Sequence, residues 1–304
     1  MTQAYYSHGK LLISGEYAVL SGALALALPT RPGQSLTVRA AHTPGIQWRS
    51  LDEAGSPWFE TTFEKEDFLP EAVQNAGQEV RNRLMMVFNK AISLNPRFLE
   101  DQQGLSIETR LEFRREWGLG SSSTLINNMA QWAGVNAFEL QKQCYGGSGY
   151  DIACAQQTGP ITFQLKSGDP CVRPVAFKPA FSSHLYFVYL NTKQDTRRGI
   201  DLYNRRKGTN QAIIEEVSAL TREFINAQHL ADFERVMDEH EIVLSKILGL
   251  SRVKEQYFAD FHGSIKSLGA WGGDFVLATG GPETPSYFKD KGYPTVIPYL
   301  QLIL

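Results

Sequence analysis

The sequence predicts an α+β protein with two domains, because strand-like and helix-like segments are mixed without a regular strand–helix alternation. Residues 3–63 are rich in β-prone runs, and turn signals such as Pro32-Gly33 separate them. Apolar residues at helical spacing follow over residues 70–93. Composition changes near Pro179. We therefore expect an N-terminal domain over residues 1–180 and a C-terminal domain over residues 181–304.

The individual elements follow from hydrophobic periodicity and turn residues. In the N-terminal half we expect strands over 9–14, 24–29, 35–40, 45–48, 58–63, 105–113, 161–165 and 172–177. We expect helices over 70–93, from the glycine-serine turn to about Trp132, and over 137–144. In the C-terminal half we expect a strand over 184–191, helices over 209–227 and 231–248, a further helix, a glycine-rich strand over 269–278, a short helix and a terminal strand over 295–302.

Composition excludes several classes of protein. The chain has 304 residues and a net charge of −2, so a basic surface for nucleic acid is not expected. Its three cysteines, Cys144, Cys154 and Cys171, lack the spacing of a zinc site and indicate reduced thiols. The apolar run from Ala18 to Leu28 is too short to span a membrane, and no basic leader precedes it. We expect a cytoplasmic protein without membrane or nucleic-acid partners.

The most informative stretch is Trp117-Gly118-Leu119-Gly120-Ser121-Ser122-Ser123-Thr124, which joins a predicted strand to a predicted helix. Backbone N–H groups at such a helix start are unpaired, and with the helix dipole they form an anion site suited to phosphate. The serine hydroxyls can bind phosphate oxygens or Mg²⁺. A turn with good helix caps is the simpler alternative. Neither a dinucleotide fingerprint nor a Walker A loop fits these residues.

Two single residues attract attention beside this loop. Lys10 stands at the head of a strand, where a lysine near a reaction centre stabilises negative charge; the alternative is an exposed strand-end lysine. Asp151 follows Gly146-Gly147-Ser148-Gly149-Tyr150, a glycine-rich turn that can place a carboxylate at a cleft wall as a general base. The alternative is an aspartate that caps the helix starting at Ile152.

Two longer segments are also candidates. The glycine cluster Gly269-Ala270-Trp271-Gly272-Gly273-Asp274 precedes an apolar strand and is typical of close backbone or ligand approach, or of a tight loop alone. Residues 193–207 can clamp an anionic substrate through their basic side chains, or form a solvated helix face. Those side chains are Lys193, Arg197, Arg198, Arg205, Arg206 and Lys207.

Taken in order, these segments resemble the motifs of the GHMP family of small-molecule kinases. Residues 9–20, from Gly9-Lys10 to Val19-Leu20, resemble its first motif, and Gly118–Ser123 its phosphate-binding second motif. Residues 269–274 resemble its glycine-rich third motif, and Ser148-Gly149-Tyr150-Asp151 the segment with its catalytic aspartate. Within the family, the mevalonate kinase and phosphomevalonate kinase branch is the most similar.

This resemblance implies a fold and a set of roles. The fold is an N-terminal domain like domain 2 of ribosomal protein S5 and a ferredoxin-like C-terminal domain, with ATP and substrate between them. Lys10 and Asp151 are then the catalytic pair, and Ser122 or Ser123 the Mg²⁺ ligand. ATP phosphates are assigned to Gly118, Leu119, Gly120, Ser121, Ser122 and Ser123. The small-molecule acceptor is assigned to Glu16, Tyr17, Ser148, Gly149, Lys193, Arg197, Gly272, Gly273 and Asp274.

The implied activity is ATP-dependent transfer of a phosphoryl group to mevalonate or phosphomevalonate, by a monomer or a homodimer. An alcohol acceptor needs the Asp151 base, whereas an anionic phosphate acceptor depends more on a basic clamp such as Lys193–Arg198. Many members carry an acidic Mg²⁺ ligand upstream of the aspartate, where Glu139 is the acidic residue of this chain. A sugar or homoserine acceptor, or a non-catalytic protein that binds nucleotide or metabolite, are the alternatives.

Overall fold

The computed structural model describes residues 2–69, 80–100, 104–192, 196–205 and 211–304. The chain divides into two compact units. Unit 1 comprises Met1–Gly9, Pro32–Arg115 and Leu119–Gln156, and unit 2 comprises Lys10–Arg31, Glu116–Gly118 and Gln157–Leu304. Strands β1 (Thr2–Ser14) and β2 (Ala25–Ala40) each contribute residues to both units. The boundary expected near residue 180 stays a prediction.

Unit 1 combines paired strands with helices. Strand β3 (Gly45–Leu51) runs antiparallel to β4 (Pro57–Phe63) and parallel to β5 (Gly104–Leu111). The C-terminal half of β2 pairs antiparallel with β5, and Leu36 lies opposite Thr109. The helices of this unit are α1 (Val80–Leu94), α2 (Ser121–Ala133), α3 (Ala137–Cys144) and α4 (Tyr150–Ala155).

The core of unit 1 follows directly from the sequence periodicities. On β5, Leu105 and Ile107 point to one buried face, as the alternation of apolar and polar residues requires. On α1, Leu84, Val87 and Ala91 form the buried stripe that helical spacing predicts. Both sets belong to one apolar cluster, which also contains Met129 of helix α2, so α2 packs against the core of unit 1.

Unit 2 contains strand pairs of two kinds. The N-terminal half of β2 pairs antiparallel with β6 (Ile161–Lys166), which pairs with β7 (Asp169–Pro174). A separate antiparallel sheet has the order β11-β8-β10-β9. Its strands are β8 (Leu185–Tyr189), β9 (Ile265–Leu268), β10 (Phe275–Thr279) and β11 (Val296–Pro298). The helices are α5 (Thr196–Arg205), α6 (Gln211–Asn226), α7 (Leu230–Leu248), α8 (Val253–Tyr257), α9 (Thr284–Asp290) and α10 (Tyr299–Leu302).

One expected turn is absent, because β2 runs unbroken through Pro32-Gly33. The Gly33 N–H donates to Glu112 Oε2 at 3.0 Å, so its partner is a side chain just after β5. A Cβ at Gly33 would lie 2.7 Å from the Tyr6 ring. The glycine therefore allows close packing inside a strand rather than a reversal of the chain.

The C-terminal part also differs from the sequence-based expectation. The glycine cluster 269–274 is a loop, and the strand begins only at Phe275. Strand β9 was missed, because its buried Lys266 interrupts the apolar pattern. The terminal strand ends at Pro298, which caps the short helix α10. Proline cannot donate to a strand ladder but is tolerated where a helix begins.

Candidate functional site

The candidate phosphate loop leads into α2 through glycine residues. Gly118 and Gly120 have φ angles of 66° and 91°, in the left-handed region that glycine adopts without strain. Gly120 is the N-cap of α2 and, lacking a side chain, makes no cap hydrogen bond to the first-turn N–H groups. These groups and the positive end of the helix dipole are the elements of an anion site.

The three serines of the loop differ in exposure. Ser123 is buried, and its hydroxyl donates to the Gly120 carbonyl oxygen at 2.9 Å. Ser122 is exposed and Ser121 is half-buried. Of the two hydroxyls predicted to bind Mg²⁺, that of Ser122 is therefore the one open to solvent.

Helix α2 is fixed within unit 1 by buried polar side chains that sequence reasoning missed. Thr124 Oγ1 donates to Gln34 Oε1 at 2.6 Å, and Asn128 Nδ2 donates to the Gln34 carbonyl oxygen at 2.9 Å. Asn127 Nδ2 donates to Ser7 Oγ, which donates to Asn128 Oδ1. Buried polar groups with full partners favour one arrangement, so this network fixes the direction of the helix N-terminus. The sequence signal for this network is the pair of adjacent asparagines, Asn127 and Asn128, inside an apolar helical pattern.

Within unit 2, residues of all three predicted motifs lie around Gly118. Lys10 is half-buried, and its Nζ donates to the Gly118 carbonyl oxygen at 3.1 Å. On the other side, a Cβ at Gly118 would lie 2.6 Å from Asp274 Cγ, so only glycine fits against that carboxyl group. The ring of Trp117 packs edge-on against Phe275 at 5.7 Å, which fixes this short segment on β10.

Asp274 is held in an unusual backbone conformation. Its φ angle is 49°, which is uncommon for a residue other than glycine. Its N–H donates to the Thr192 carbonyl oxygen and its own carbonyl accepts from the Leu190 N–H, both at 2.8 Å. These two bonds anchor the end of the glycine cluster to the chain after β8, and so direct the carboxyl group at Gly118.

The first and third motifs meet a second time at Tyr17. The Tyr17 hydroxyl accepts a hydrogen bond from the Trp271 N–H at 2.8 Å. Tyr17 is buried, has a φ angle of 59° and stacks on Tyr203 with ring centroids 6.3 Å apart. A Cβ at Gly199 would lie 2.6 Å from the Tyr17 ring, so α5 approaches this ring closely only at a glycine.

A cavity of about 180 Å³ opens beside Tyr17 in unit 2. The residues that line it are uncharged, and most are apolar or aromatic. They are Tyr17, Gly199, Leu202, Leu250, Val253, Gln256, Tyr257, Ala270, Trp271 and Gly272. Such a lining fits the carbon skeleton of a small molecule, with a few polar groups to orient it.

Glu16, predicted to contact the acceptor, is only 2% exposed. Its Oε1 lies 2.5 Å from Lys266 Nζ, and its Oε2 lies 3.5 Å from His240 Nε2. Burial raises the pKa of Glu16, and the adjacent Lys266 ammonium opposes that rise. The structure therefore associates Glu16 with a buried ionic cluster, and sequence reasoning did not find its partners on α7 and β9.

Asp151 lies in the first turn of α4 in unit 1. The helix begins at Tyr150 with Gly149 as N-cap, so Asp151 is inside the helix rather than at its cap. Its Oδ1 accepts from the Ile152 N–H at 3.2 Å, and its side chain is half-buried. Gly149 has a φ angle of 86°, and Phe138 lies against it, while the Ser148 side chain is buried. Ser148 and Gly149 thus shape the turn that carries the carboxylate.

The remaining predicted residues are described only in part. Lys193 lies outside the described residues, as do Arg206 and Lys207, and for Arg197 and Arg198 only the backbone of α5 is described. Glu139 is in the first turn of α3, where its Oε1 accepts from Gln143 Nε2 at 2.8 Å. Gly273 is buried in the loop before β10.

Two features are absent from the residues that the structure describes. No group of three or more histidine, cysteine, aspartate or glutamate side chains within 2–69, 80–100, 104–192, 196–205 and 211–304 is arranged to hold a metal ion. In the same part of the chain, no helix combines the length and apolar character needed to cross a membrane.

Comparison with solved structures found extensive similarity. Mevalonate kinase from Methanococcus jannaschii matches with a TM-score of 0.71 and 15% identity, over 97% of this chain and 96% of that protein. Streptococcus pneumoniae phosphomevalonate kinase, in complex with phosphomevalonate and AMPPNP, matches with a TM-score of 0.66 and 19% identity, over 95% of each chain. Lactococcus lactis galactokinase, complexed with galactose, matches with a TM-score of 0.63 and 12% identity, over 97% and 92%.

Comparisons of sequence gave no match, either to protein-family models or to curated proteins. The structural similarity nevertheless extends over almost the whole chain. The protein has the mixed α+β fold of the GHMP small-molecule kinases, and the predicted fold class is confirmed. Because the matched kinases act on different molecules, the fold does not identify the acceptor.

Proposed function

We propose that this protein is an ATP-dependent small-molecule kinase that transfers the γ-phosphoryl group to mevalonate or phosphomevalonate. The observation that carries the proposal is the environment of Gly118. Lys10 from the first motif and Asp274 from the third both lie against this glycine of the second motif. The simpler interpretations, an exposed lysine at a strand end and a tight loop without a ligand, do not require Lys10 and Asp274 to meet at Gly118.

The ATP phosphates are assigned to the loop Gly118–Ser123. Phosphoryl transfer requires mainly positioning and neutralisation of charge, rather than covalent chemistry by the protein. A helix start without a side-chain cap offers its N–H groups to phosphate oxygens, and Gly120 supplies that start on α2. Lys10, already bonded to the loop carbonyl, adds a positive charge for the transferred phosphoryl group.

Mg²⁺ is the metal ion that such a reaction uses. The ion typically keeps several waters and binds through one or two protein ligands together with substrate phosphates. The exposed hydroxyl of Ser122 fits the role of a protein ligand better than the buried hydroxyl of Ser123, which is already bonded to Gly120. When bound, Mg²⁺ neutralises phosphate charge.

Asp151 is the proposed general base toward an alcohol acceptor. It is a half-buried carboxylate in the first turn of a helix whose N-cap is Gly149, and its Oδ1 accepts from the Ile152 N–H. An alcohol loses its proton reluctantly, whereas a phosphate acceptor is already anionic. Asp151 is therefore needed most for mevalonate, and a basic clamp such as Lys193 and Arg197 for phosphomevalonate.

The uncharged cavity beside Tyr17 is the proposed place for the carbon skeleton of the acceptor. Tyr17 and Gly272, both predicted acceptor residues, line it. The same lining is compatible with a sugar or with homoserine, so the choice of acceptor requires direct measurement. A non-catalytic protein that binds a nucleotide is the remaining alternative.

A coupled assay of ADP release would test the proposal. The purified protein, ATP and Mg²⁺ would be combined in turn with mevalonate, phosphomevalonate, galactose and homoserine. We expect acceptor-dependent turnover with one of the first two, and loss of that turnover in Asp151→Asn if the acceptor is an alcohol. Binding of an ATP analogue without turnover of any acceptor would favour the non-catalytic alternative.

A further inference from the structure

Behind the turn that carries Tyr17, unit 2 encloses a cluster of ionisable side chains. Glu16, His240, Glu241 and Lys266 are each at most 2% exposed. They come from three places: the turn after β1, helix α7 and strand β9. Charged side chains are almost never buried unless they are paired, so this arrangement needs a physical explanation.

One hydrogen bond of the cluster fixes the state of His240. The Gly15 N–H donates to His240 Nε2 at 3.2 Å, which requires an unprotonated Nε2. Burial, with the Lys266 charge adding to it, holds the pKa of His240 well below its usual value. Burial raises the pKa of Glu241 to about 8, and Glu16 adds to the rise. Lys266 and Glu16, whose Nζ and Oε1 atoms lie 2.5 Å apart, form the ion pair of this cluster.

Lys266 is also tied into its own strand. Its Nζ donates to the Ser267 carbonyl oxygen at 3.0 Å, and the Ser267 N–H donates to Glu241 Oε1 at 3.1 Å. The ammonium group is therefore held on β9, whose Ser267 is in turn bonded to α7, and it contacts the first motif through Glu16 at 2.5 Å. The pair is one polar connection between this sheet and the turn.

The turn itself is strained. Gly15 and Tyr17 have φ angles of 91° and 59°, and a bulky residue such as tyrosine is strained at positive φ. Such a conformation persists only where the surroundings impose it. A Cβ at Gly15 would lie 2.7 Å from Ala25 Cβ, and the Tyr17 hydroxyl is held by the Trp271 N–H. Glu16, between Gly15 and the strained Tyr17, is the charged residue of the turn.

We propose that Glu16 and Lys266 are positioning residues, whose buried ion pair holds the Gly15–Tyr17 turn so that Tyr17 stays bonded to Trp271 and shapes the cavity. Glu16 then acts through its neighbour Tyr17 and does not contact the acceptor. The part of this inference that concerns the acceptor rests on the proposed function. The part that concerns the turn stands on the geometry of unit 2 alone.

Hydrogen–deuterium exchange tests the turn without any assay of activity. In Lys266→Met, we expect the amides of Gly15 and Trp271 to exchange at least about tenfold faster than in the wild type. Lys291→Met is the matched control, since it removes a lysine from an exposed ion pair with Asp260 in the same unit. That control should leave both amides unchanged.

The double variant Glu16→Gln/Lys266→Met separates positioning from stability. It leaves no buried unpaired charge, so it should regain much of the Tm that Lys266→Met loses. We expect the Trp271 amide to remain fast in it and the KM of the acceptor to stay raised, by roughly 10- to 100-fold. Affinity for an ATP analogue should change less than twofold, since the phosphate loop is intact.

Wild-type exchange at Trp271 in the double variant, with a wild-type KM, would overturn the proposal, because the pair would then only balance charge. Unchanged exchange in a folded Lys266→Met would also overturn it. If Lys266→Met does not fold, the Trp271 exchange rate and the acceptor KM of the double variant test the proposal instead. If the wild type turns over no acceptor, the proposed function fails, and the exchange rates still decide whether the pair holds the turn.

Discussion

At the scale of single residues, Asp151 and Lys10 are the side chains whose roles are most open to measurement. Asp151→Asn keeps the shape and polarity of the side chain but cannot take up a proton. General-base catalysis contributes about 10²–10⁴-fold, so kcat with an alcohol acceptor should fall by that order while affinity for an ATP analogue stays nearly constant. Steady-state kinetics and calorimetric titration measure the two quantities.

Lys10→Met should lower kcat as well, because it removes a charge that the developing oxyanion needs. If the two residues act as one unit, the double variant loses much less than the product of the single losses. Asp169→Asn, an exposed aspartate on β7, is the control. Near-normal turnover of an alcohol by Asp151→Asn would reject the base assignment and favour a phosphate acceptor.

Gly120 is the second residue with a defined prediction. Gly120→Val should abolish binding of an ATP analogue, because a branched side chain would occupy the space of the phosphate at the start of α2. Its φ angle of 91° also makes any side chain strained there, so strain must be separated from obstruction. Calorimetric titration of the folded variant gives the affinity.

Gly168→Val is the matched control, since Gly168 has a φ angle of 89° and a Cβ there would meet no atom within 4 Å. It reproduces the backbone strain outside the loop. We expect it to bind the analogue as the wild type does. Unchanged affinity in folded Gly120→Val would show that this loop is not the phosphate site.

At the scale of elements, helix α5 contacts the first motif through Gly199. In Gly199→Ala the new Cβ would press on the Tyr17 ring, and overpacking costs typically about 1–3 kcal/mol. Alanine in a helix gains only roughly 0.5–1 kcal/mol over glycine, so the net effect should be a loss of stability. Urea unfolding measures it, and the KM of the acceptor should rise with it.

Gly159→Ala serves as the control for this substitution. Gly159 lies in unit 2, and a Cβ there would have no neighbour within 4 Å. We expect no loss of stability and an unchanged KM. A Gly199→Ala protein as stable as the wild type, with the same KM, would mean that α5 and Tyr17 can separate without consequence.

At the scale of the whole molecule, the buried cluster makes stability depend on pH. The pKa of Glu241 is about 8 in the folded protein against 4.5 for the ordinary group, so the folded state keeps a proton that the unfolded state loses. This contribution is fully present below pH 4.5 and is lost as pH rises through 8. His240 acts oppositely, but only below its ordinary pKa of 6.5.

Between pH 6.5 and 8, the free energy of unfolding should therefore fall as pH rises, by at most about 1.4 kcal/mol per pH unit for this one proton. Glu241→Gln, which keeps the bonds to Ser267 without a titrating proton, should remove that part of the slope. Urea unfolding of both proteins at several pH values gives the difference. Equal slopes would show that Glu241 is ionised when buried.

The sequence by itself determined the elements and the fold class. Periodicity on β5 and α1, which is a local signal, predicted the core of unit 1, and the resemblance of the ordered motifs to those of the GHMP kinases implied the fold. The sequence-based prediction was wrong at Pro32-Gly33, which it interpreted as a turn. It also missed β9, because the buried Lys266 interrupts the apolar pattern of that strand. In both places the decisive contacts come from distant parts of the chain.

Only the tertiary structure decided which residues of the candidate site are neighbours. Lys10, Gly118 and Asp274 are far apart in the chain, and their approach depends on β1 and β10 packing around one short segment. The same holds for Glu16, whose partner Lys266 lies 250 positions away. No local pattern encodes such a pairing, because burial of a charge becomes favourable only after the surrounding elements have assembled.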